Sequence, residues 1–134
     1  MPIEVDATQA PAFLRWTVTG SWPSIDDLGN VRTRLIAGGQ LTAETRVLID
    51  MRNVETVPEY HEVPAMIQAA LKSGGLPLRR AYVVASVVQF GLVRQMQALA
   101  PPEIAVEIFF NEVEALNWLH TANEPGARRP GREG

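Results

Sequence analysis

The sequence predicts an α/β fold with a mixed sheet of about five strands and about four helices. Apolar and polar residues alternate near the start of the chain, as they do in a strand with one buried face. Short continuous apolar runs such as Val47–Ile49 follow, which are typical of strands buried on both faces. Between these runs, apolar residues recur at helical spacing, so the strands are predicted to be joined by helical crossovers.

Length and composition indicate one folded domain. The chain has 134 residues, of which 46% are apolar and 20% are charged. A chain of this length removes roughly two-thirds of its unfolded surface from water, so it needs no metal ion or disulfide to stay folded. We expect a domain over residues 1–122. Residues 123–134 are rich in Gly, Pro and Arg and are predicted to form a flexible tail.

Charge and cysteine content argue against several classes of function. The net charge of -3 gives no general attraction to nucleic acids or anionic membranes, so we expect no nucleic-acid partner. The chain has no cysteine, which excludes thiolate catalysis and cysteine-ligated metals. The N-terminus lacks signal-peptide features, and no apolar run is long enough to span a membrane. We therefore expect a cytoplasmic protein.

The N-terminal half is predicted to contain an antiparallel hairpin, a helix and a buried strand. Residues 13–20 alternate in polarity and form the main strand of the hairpin, with a short strand near residues 3–5 as its partner. Ser24 is the predicted N-cap of the helix, and Gly38–Gly39 ends it. The run Val47–Ile49 is the next strand.

The second and third helices enclose another buried strand. The second helix begins near Val63, after an irregular lead-in, and Gly74–Gly75 closes it. The strand is predicted over Ala81–Ala85. Ser86 then caps the third helix, which Pro101–Pro102 terminates.

A last strand over residues 104–110 and a final helix complete the domain. Asn111 opens this helix, with Glu114 three residues on. The element order is β-β-α-β-α-β-α-β-α. Because crossovers are right-handed, the strands after the hairpin are expected to be parallel.

Ligands of open α/β sheets usually bind beyond the carboxyl ends of the parallel strands. The candidate ligand-binding residues at this edge are Asp50, Arg52, Ser86, Phe90, Gly91 and Arg94. Asp50 and Arg52 either orient a polar ligand, or Asp50 accepts a backbone N–H bond from two residues on, which we favour.

Arg94 and Gly91 each allow a ligand-binding and a structural interpretation. Arg94 and the amides at the start of its helix either form an anion site, or Arg94 pairs with Asp50 or a neighbouring carboxylate. Gly91 costs about 1 kcal/mol relative to Ala inside a helix, so a ligand or a packed strand is expected to approach it closely. Packing is the commoner reason.

No group of side chains indicates catalysis, a metal ion or a cofactor. His61 and His120 are the only histidines, and neither has a second ligand at a metal-binding spacing. The two Gly pairs follow helices rather than introduce them, so they are not phosphate-binding loops. We therefore expect a protein that is not an enzyme.

Four segments together resemble the SpoIIAA-like family of small bacterial proteins. They are Asp50–Arg52, Arg80–Val84, Phe90–Met96 and Glu114–Leu119, and the resemblance extends from about residue 13 to residue 120. It implies a STAS-related fold, which is also compared with the lipid-binding Sec14 domain.

One departure from the STAS pattern bears on function. In the anti-sigma-factor antagonists of this fold, a helix start after the Asp-ending strand carries a phosphorylatable serine. The corresponding residues 57–61 here read Val-Pro-Glu-Tyr-His, so the serine is missing. A phosphate beside Glu59 and Glu62 would also meet like charge, which argues against a phospho-switch.

Two functional hypotheses remain open. The first is a non-enzymatic interaction or regulatory module that acts on a protein partner or as a homodimer. The alternative is a module that binds a small hydrophobic ligand, a lipid or an anionic ligand in a pocket at the carboxyl ends of the strands, with Arg94 near its mouth. An enclosed apolar cavity favours the ligand, whereas an exposed apolar patch favours the partner.

Overall fold

In the part of the chain that the structure describes, five strands lie side by side in the order in which they occur in the sequence. The computed structural model describes residues 3–72 and 79–121. The strands are β1 (Ile3–Asp6), β2 (Phe13–Ser21), β3 (Arg46–Thr56), β4 (Arg79–Val83) and β5 (Ala105–Phe109). β1 is antiparallel to β2, and every other neighbouring pair is parallel, which confirms the predicted mixed sheet.

Four helices within the described residues cover the two faces of this sheet unequally. They are α1 (Ile25–Ala37), α2 (Val63–Lys72), α3 (Val87–Leu99) and α4 (Glu112–Thr121), and a 3-10 turn (Tyr60–Glu62) precedes α2. Right-handed crossovers between strands added in one direction place their helices on the same side. Helices α1, α2 and α3 therefore pack on what we call the first face, and α4 packs on the second face.

The central strand β3 sends alternate side chains to the two cores. Val47 and Ile49 belong to the core under α1–α3, whereas Leu48 belongs to the core under α4. All three are at most 5% exposed, which confirms a strand buried on both faces. The same alternation in β4 turns Arg80 to the first face and Arg79 to the second, where its guanidinium lies 4.3 Å from the centre of the Trp118 ring.

The predicted helix starts are confirmed. The Ser24 hydroxyl accepts a hydrogen bond from the amide of Asp27 at 3.1 Å, which satisfies one of the free N–H groups of α1. Ser86 does the same for the amide of Gln89 in α3, also at 3.1 Å. At α4, the Asn111 side chain accepts from the amide of Glu114 at 2.9 Å.

Two strands, β3 and β4, differ from their predicted bounds by two residues or more at an end. β3 continues to Thr56, so Asp50 lies inside the strand and not at its end. The extra length pairs with β2 alone through two register shifts, because β4 ends at Val83, level with Asp50. β4 begins at Arg79 rather than Ala81, since backbone pairing with β3 does not require an apolar side chain.

Some predictions fall outside the described part of the chain. The Gly74–Gly75 stop of α2 and the tail over residues 123–134 lie there. Within residues 3–72 and 79–121, no helix is long and apolar enough to cross a membrane.

Candidate functional site

A cavity of about 70 Å³ lies between the first face of the sheet and helices α1 and α2. Most of its wall is apolar. Trp16, Val18 and Ile49 contribute from the sheet, Leu28 from α1 and Ile67 from α2. Such a lining, in a partly open space between sheet and helices, suits the apolar body of a small molecule.

Two arginines line the same cavity. Arg32 of α1 is only 8% exposed, and Arg80 of β4 is half-buried with its guanidinium 5.8 Å from the Tyr82 ring. No carboxylate is found among the described residues that line the cavity. Burial lowers the pKa of Arg32, and the like charge of Arg80 lowers it further. The cavity is therefore apolar in its walls and positive at the two arginines.

Four cavity-lining side chains carry a buried nitrogen without a hydrogen-bond acceptor in the described part of the chain. These nitrogens are the indole Nε1 of Trp16 and Trp22 and the guanidinium Nε of Arg32 and Arg80. Buried donors are normally paired in folded proteins. Their grouping around one space marks the cavity as a site able to donate hydrogen bonds.

Local geometry explains why both arginines face inward. Arg80 precedes the buried Tyr82 by two positions, so both side chains leave β4 on the same face. Arg32 follows Leu28 by four positions and precedes the buried Leu35 by three, so it occupies the buried stripe of α1. The alternation of side chains in β4 and the helical spacing in α1 thus turn both arginines toward the same cavity.

A wider cleft of about 510 Å³ adjoins the cavity. The two share Trp22, Ile25 and Met66. The cleft lies where β2 and β3 end and where α1 begins, and it carries the carboxylates of Asp26 and Glu62. The cleft therefore lies at the carboxyl ends of these strands, while the two arginines lie further along the sheet face.

A separate group of four charged residues lies on the second face and is called the charged cluster below. It consists of Arg15, Asp50, Arg52 and Glu112. Asp50 accepts bonds from the amide and the Nε of Arg52, at 3.1 and 2.9 Å, and from the NH2 groups of Arg52 and Arg15, at 2.8 and 3.3 Å. Arg15 also donates two bonds to Glu112, one of them at 2.8 Å.

The cluster holds its carboxylates in the charged form. Hydrogen bonds from Arg52 are the main reason that the pKa of Asp50 lies below its usual value, and Arg15 has the same effect on the pKa of Glu112. The pKa values of Arg52 and Arg15 are raised by the same contacts. The two positive charges of the cluster balance its two negative charges. This favours a structural role, in which the cluster connects β2, β3 and α4.

The candidate residues predicted from the sequence do not form one site. Asp50 and Arg52 come together, and the favoured backbone interaction of Asp50 with the residue two positions on is present. Ser86 is used as the N-cap of α3. Phe90 stacks on Phe110, with 5.8 Å between ring centres.

The predicted placement of Arg94 near Asp50 is wrong. Arg94 is exposed and donates to the side chain of Gln97 at 3.1 Å. It lines a shallow groove with Ala105 and Val106, at the start of β5, whereas Asp50 is level with the end of β5. Seven residues of helix, about 10 Å, separate Arg94 from the start of α3 and carry it to the other end of the sheet.

The packed strand expected as the commoner reason for Gly91 is wrong. A side-chain carbon built on Gly91 would meet no atom of the described chain within 4 Å. Gly91 is exposed, and no strand or side chain of residues 3–72 and 79–121 packs on it. Packing therefore does not explain this glycine, and the approach of a ligand stays a prediction.

Exposed apolar side chains cluster where β4 and β5 end, and we call this surface the apolar rim. It is formed by Val87 and Val88 at the start of α3 and by Phe110 and Val113 around the start of α4. These residues are between 56% and 85% exposed. The exposed patch expected for a partner-binding protein is thus present. The cavity differs from the one expected for a ligand-binding protein, because neither Asp50 nor Arg94 lines it.

The sequence reasoning missed Arg32 and the tryptophans as site residues. A signal existed, because Arg32 interrupts the apolar stripe of its helix at a position that must face the sheet. For metal binding, the described residues hold no group of three or more His, Asp or Glu side chains placed to bind an ion.

Comparison with known proteins supports the fold. A crystal structure of an uncharacterised protein from the DUF3478 family, with a SpoIIAA-like fold, from Shewanella loihica PV-4, matches with a TM-score of 0.60. The match covers 87% of this chain and 91% of that chain at 22% identity. No family model and no curated protein matches. The SpoIIAA-like fold predicted from the sequence is confirmed, and at this identity the likeness concerns the fold alone.

Proposed function

We propose that this SpoIIAA-like protein is a non-enzymatic module that binds a small molecule with an apolar body between the sheet and helices α1 and α2. The observation that carries the proposal is the mostly apolar cavity that continues into a cleft at the strand ends. Ligand sites of small proteins have this form, with apolar walls and a few polar groups.

Two further features support binding over catalysis. Among the described residues that line the cavity, no pair of side chains could act as nucleophile and base, since the polar groups are the arginine and tryptophan N–H donors and the hydroxyl of Tyr82. N–H donors of this kind orient a bound molecule and do not take a proton from it. That the protein is not an enzyme and that it is cytoplasmic stay predictions.

The test is to measure binding of two probes, decanol and decanoate, by the quenching of Trp16 and Trp22 fluorescence. Ala70 of α2 lines the cavity and is buried, so Ala70→Phe fills the space. We expect the wild type to bind at least one probe and Ala70→Phe to lose it. Ala69→Phe is the matched control, because Ala69 is the neighbouring residue and does not line the cavity.

Two results overturn the proposal. One is a wild type that binds neither probe, and the other is a folded Ala70→Phe variant with unchanged affinity. Circular dichroism establishes that each variant is folded. If Ala70→Phe does not fold, Leu28→Phe fills the same cavity from α1 and takes its place.

A second candidate function, self-association into a dimer, is favoured by the apolar rim. A twofold contact buries the same surface on both copies, so that surface has to complement itself. The rim is apolar, and the adjacent charged cluster contains two cations and two anions. This surface therefore suits a second copy of the chain better than a strongly charged partner.

Sedimentation velocity over a hundredfold range of concentration tests the second candidate. We expect a dimer for the wild type and a monomer for Val88→Asp. The matched control is Asn30→Asp, which changes an exposed helix residue away from the rim. A wild type that stays monomeric, or a Val88→Asp variant that still forms dimers, contradicts a dimer through the rim.

A further inference from the structure

Arg32, which is buried, and Arg80, which is half-buried, both place a positive charge at the cavity. No anionic side chain is found among the described residues that line it. Within residues 3–72 and 79–121, neither guanidinium forms an ion pair with a carboxylate. Burial of an unpaired charge is strongly unfavourable. A buried lysine can relieve this cost by losing its proton, whereas a guanidinium stays protonated. Among the described residues, the fold thus keeps a charge arrangement that a bound anion would balance.

The donor groups around the arginines match an anionic oxygen. Besides the guanidinium groups, Trp16 offers a buried indole N–H that has no acceptor in the described chain, and Trp16 is only 7% exposed. Arginine binds the planar edge of a carboxylate or the oxygens of a phosphate through two parallel bonds. The apolar walls strengthen such bonds because they exclude water.

The charges along the pocket set the orientation of a bound molecule. Asp26 and Glu62 lie in the open cleft, and Arg32 and Arg80 lie in the cavity. Arg32 follows Ile25, which borders both spaces, by seven residues, or about 10 Å along α1. A negative group is repelled at the cleft and attracted in the cavity, so the favoured orientation of a bound molecule has its negative group in the cavity and its apolar body toward the cleft.

We infer that the ligand of this cavity is an amphiphile with an anionic head group, a carboxylate or a phosphate monoester, which Arg32 and Arg80 bind. The inference rests on the proposed function and adds the chemical class of the ligand. The cavity of about 70 Å³ is smaller than the roughly 150 Å³ that holds a benzene molecule. It accommodates the head group and the first carbons, and the rest of the chain lies in the cleft.

The test compares ligands that share one apolar chain and differ in the head group. Decanoate, decyl phosphate and decanol are titrated separately into the full-length protein by calorimetry. We expect at least one anion to bind about tenfold or more tightly than decanol, because charged hydrogen bonds exceed neutral ones by about that factor. The anion that binds with the higher affinity shows whether the head group of the ligand is a carboxylate or a phosphate monoester.

Variants distinguish binding of the anion by the two arginines from general electrostatic attraction to the protein. We expect Arg32→Met and Arg80→Met each to weaken binding of the preferred anion about tenfold and to leave decanol unchanged. Arg34→Met is the matched control, because Arg34 lies in the same helix but is exposed and does not line the cavity. It should bind the anion as the wild type does.

A second measurement distinguishes ligand binding from a structural role. Without ligand, Arg32→Met should unfold at a higher urea concentration than the wild type, since the substitution removes an unpaired buried charge. An arginine needed for the fold would shift this midpoint downward. If Arg32→Met does not fold, the inference is wrong for Arg32, and Arg80→Met still tests the head group.

The outcomes separate the inference from the proposed function. Equal affinity for decanol and both anions overturns the inference and leaves the proposed function standing. An equal loss of anion binding in Arg34→Met also overturns it, because the attraction is then unspecific. If none of the three ligands binds, both the inference and the proposed function fail.

Discussion

Arg15 of β2 donates two hydrogen bonds to Glu112, the first residue of α4, across 97 positions of sequence. The same guanidinium reaches Asp50 of β3 at 3.3 Å. One side chain therefore connects two strands to the start of the helix that covers the second face. This arrangement leads to two predictions about stability.

Glu112→Gln should lower the free energy of unfolding by about 1 kcal/mol, because the carboxylate is partly exposed and its ion pairs are screened by water. Urea unfolding measures the loss. Glu114→Gln is the control, since Glu114 lies in the same first turn of α4 but is exposed and contributes only its backbone amide to the cap. An equal loss in both variants would show that the helix start, and not the Arg15 contact, is responsible.

Stability should also fall in acid. The pKa values of Asp50 and Glu112 are lower in the folded state than their ordinary values of about 4. Groups with a lowered folded pKa stabilise the fold at pH values above their unfolded pKa, and this contribution is lost as pH falls through the folded pKa.

The difference in unfolding free energy between the wild type and Asp50→Asn should therefore be largest above about pH 5 and shrink below about pH 4. Urea unfolding of both proteins across this range provides the measurement. A difference that stays constant down to about pH 2 would contradict the assigned direction of the pKa shift.

Gln89→Met should destabilise the protein by about 2 kcal/mol. Gln89 is 4% exposed, accepts a bond from the amide of Ala85 at 2.7 Å and donates to the carbonyls of Val54 and Arg52 at 2.9 and 3.3 Å. Methionine leaves these backbone groups without partners. Thermal unfolding gives the comparison with Gln68→Met, which changes an exposed glutamine and should be nearly neutral.

Gly91→Ala should raise the free energy of unfolding by about 1 kcal/mol, because alanine favours a helix and the added carbon meets no atom within 4 Å. Gly39→Ala is the comparison variant, and it should change the free energy of unfolding in the opposite direction. Its added carbon also has space, but Gly39 has a φ of +74°, so alanine there should cost about 1 kcal/mol. Urea unfolding of both variants is decisive, and a loss of stability in Gly91→Ala would mean that the position has a contact outside the described chain.

The order of the elements and the caps of α1, α3 and α4 followed from local sequence, because hydrophobic spacing and capping side chains act over a few residues. The extension of β3 to Thr56 did not, since it depends on pairing with the distant β2. Polar residues such as Arg52 and Asn53 carry no local signal for such pairing.

The candidate site was less predictable than the fold. Placing Arg94 near Asp50 required the distance along α3, and the strand-end rule alone did not supply it. Arg32 and Arg80 are separated by two crossovers, so their meeting in one cavity depends on how α1 packs on the sheet. Sequence spacing contains a signal for the face of each arginine, which the prediction did not use, and it contains none for their proximity.

The sequential strand order has a consequence for folding during synthesis. Each new strand pairs with one that the chain has already made, so the sheet grows through contacts between neighbours in sequence. Helix α4 comes after all five strands, and until it is made, Leu48, Ala81 and Val83 on the second face have no cover from it. We expect nascent chains that stop before Glu112 to expose this apolar surface and to need a chaperone. Docking of α4 is then the late folding step that covers the surface and prevents aggregation.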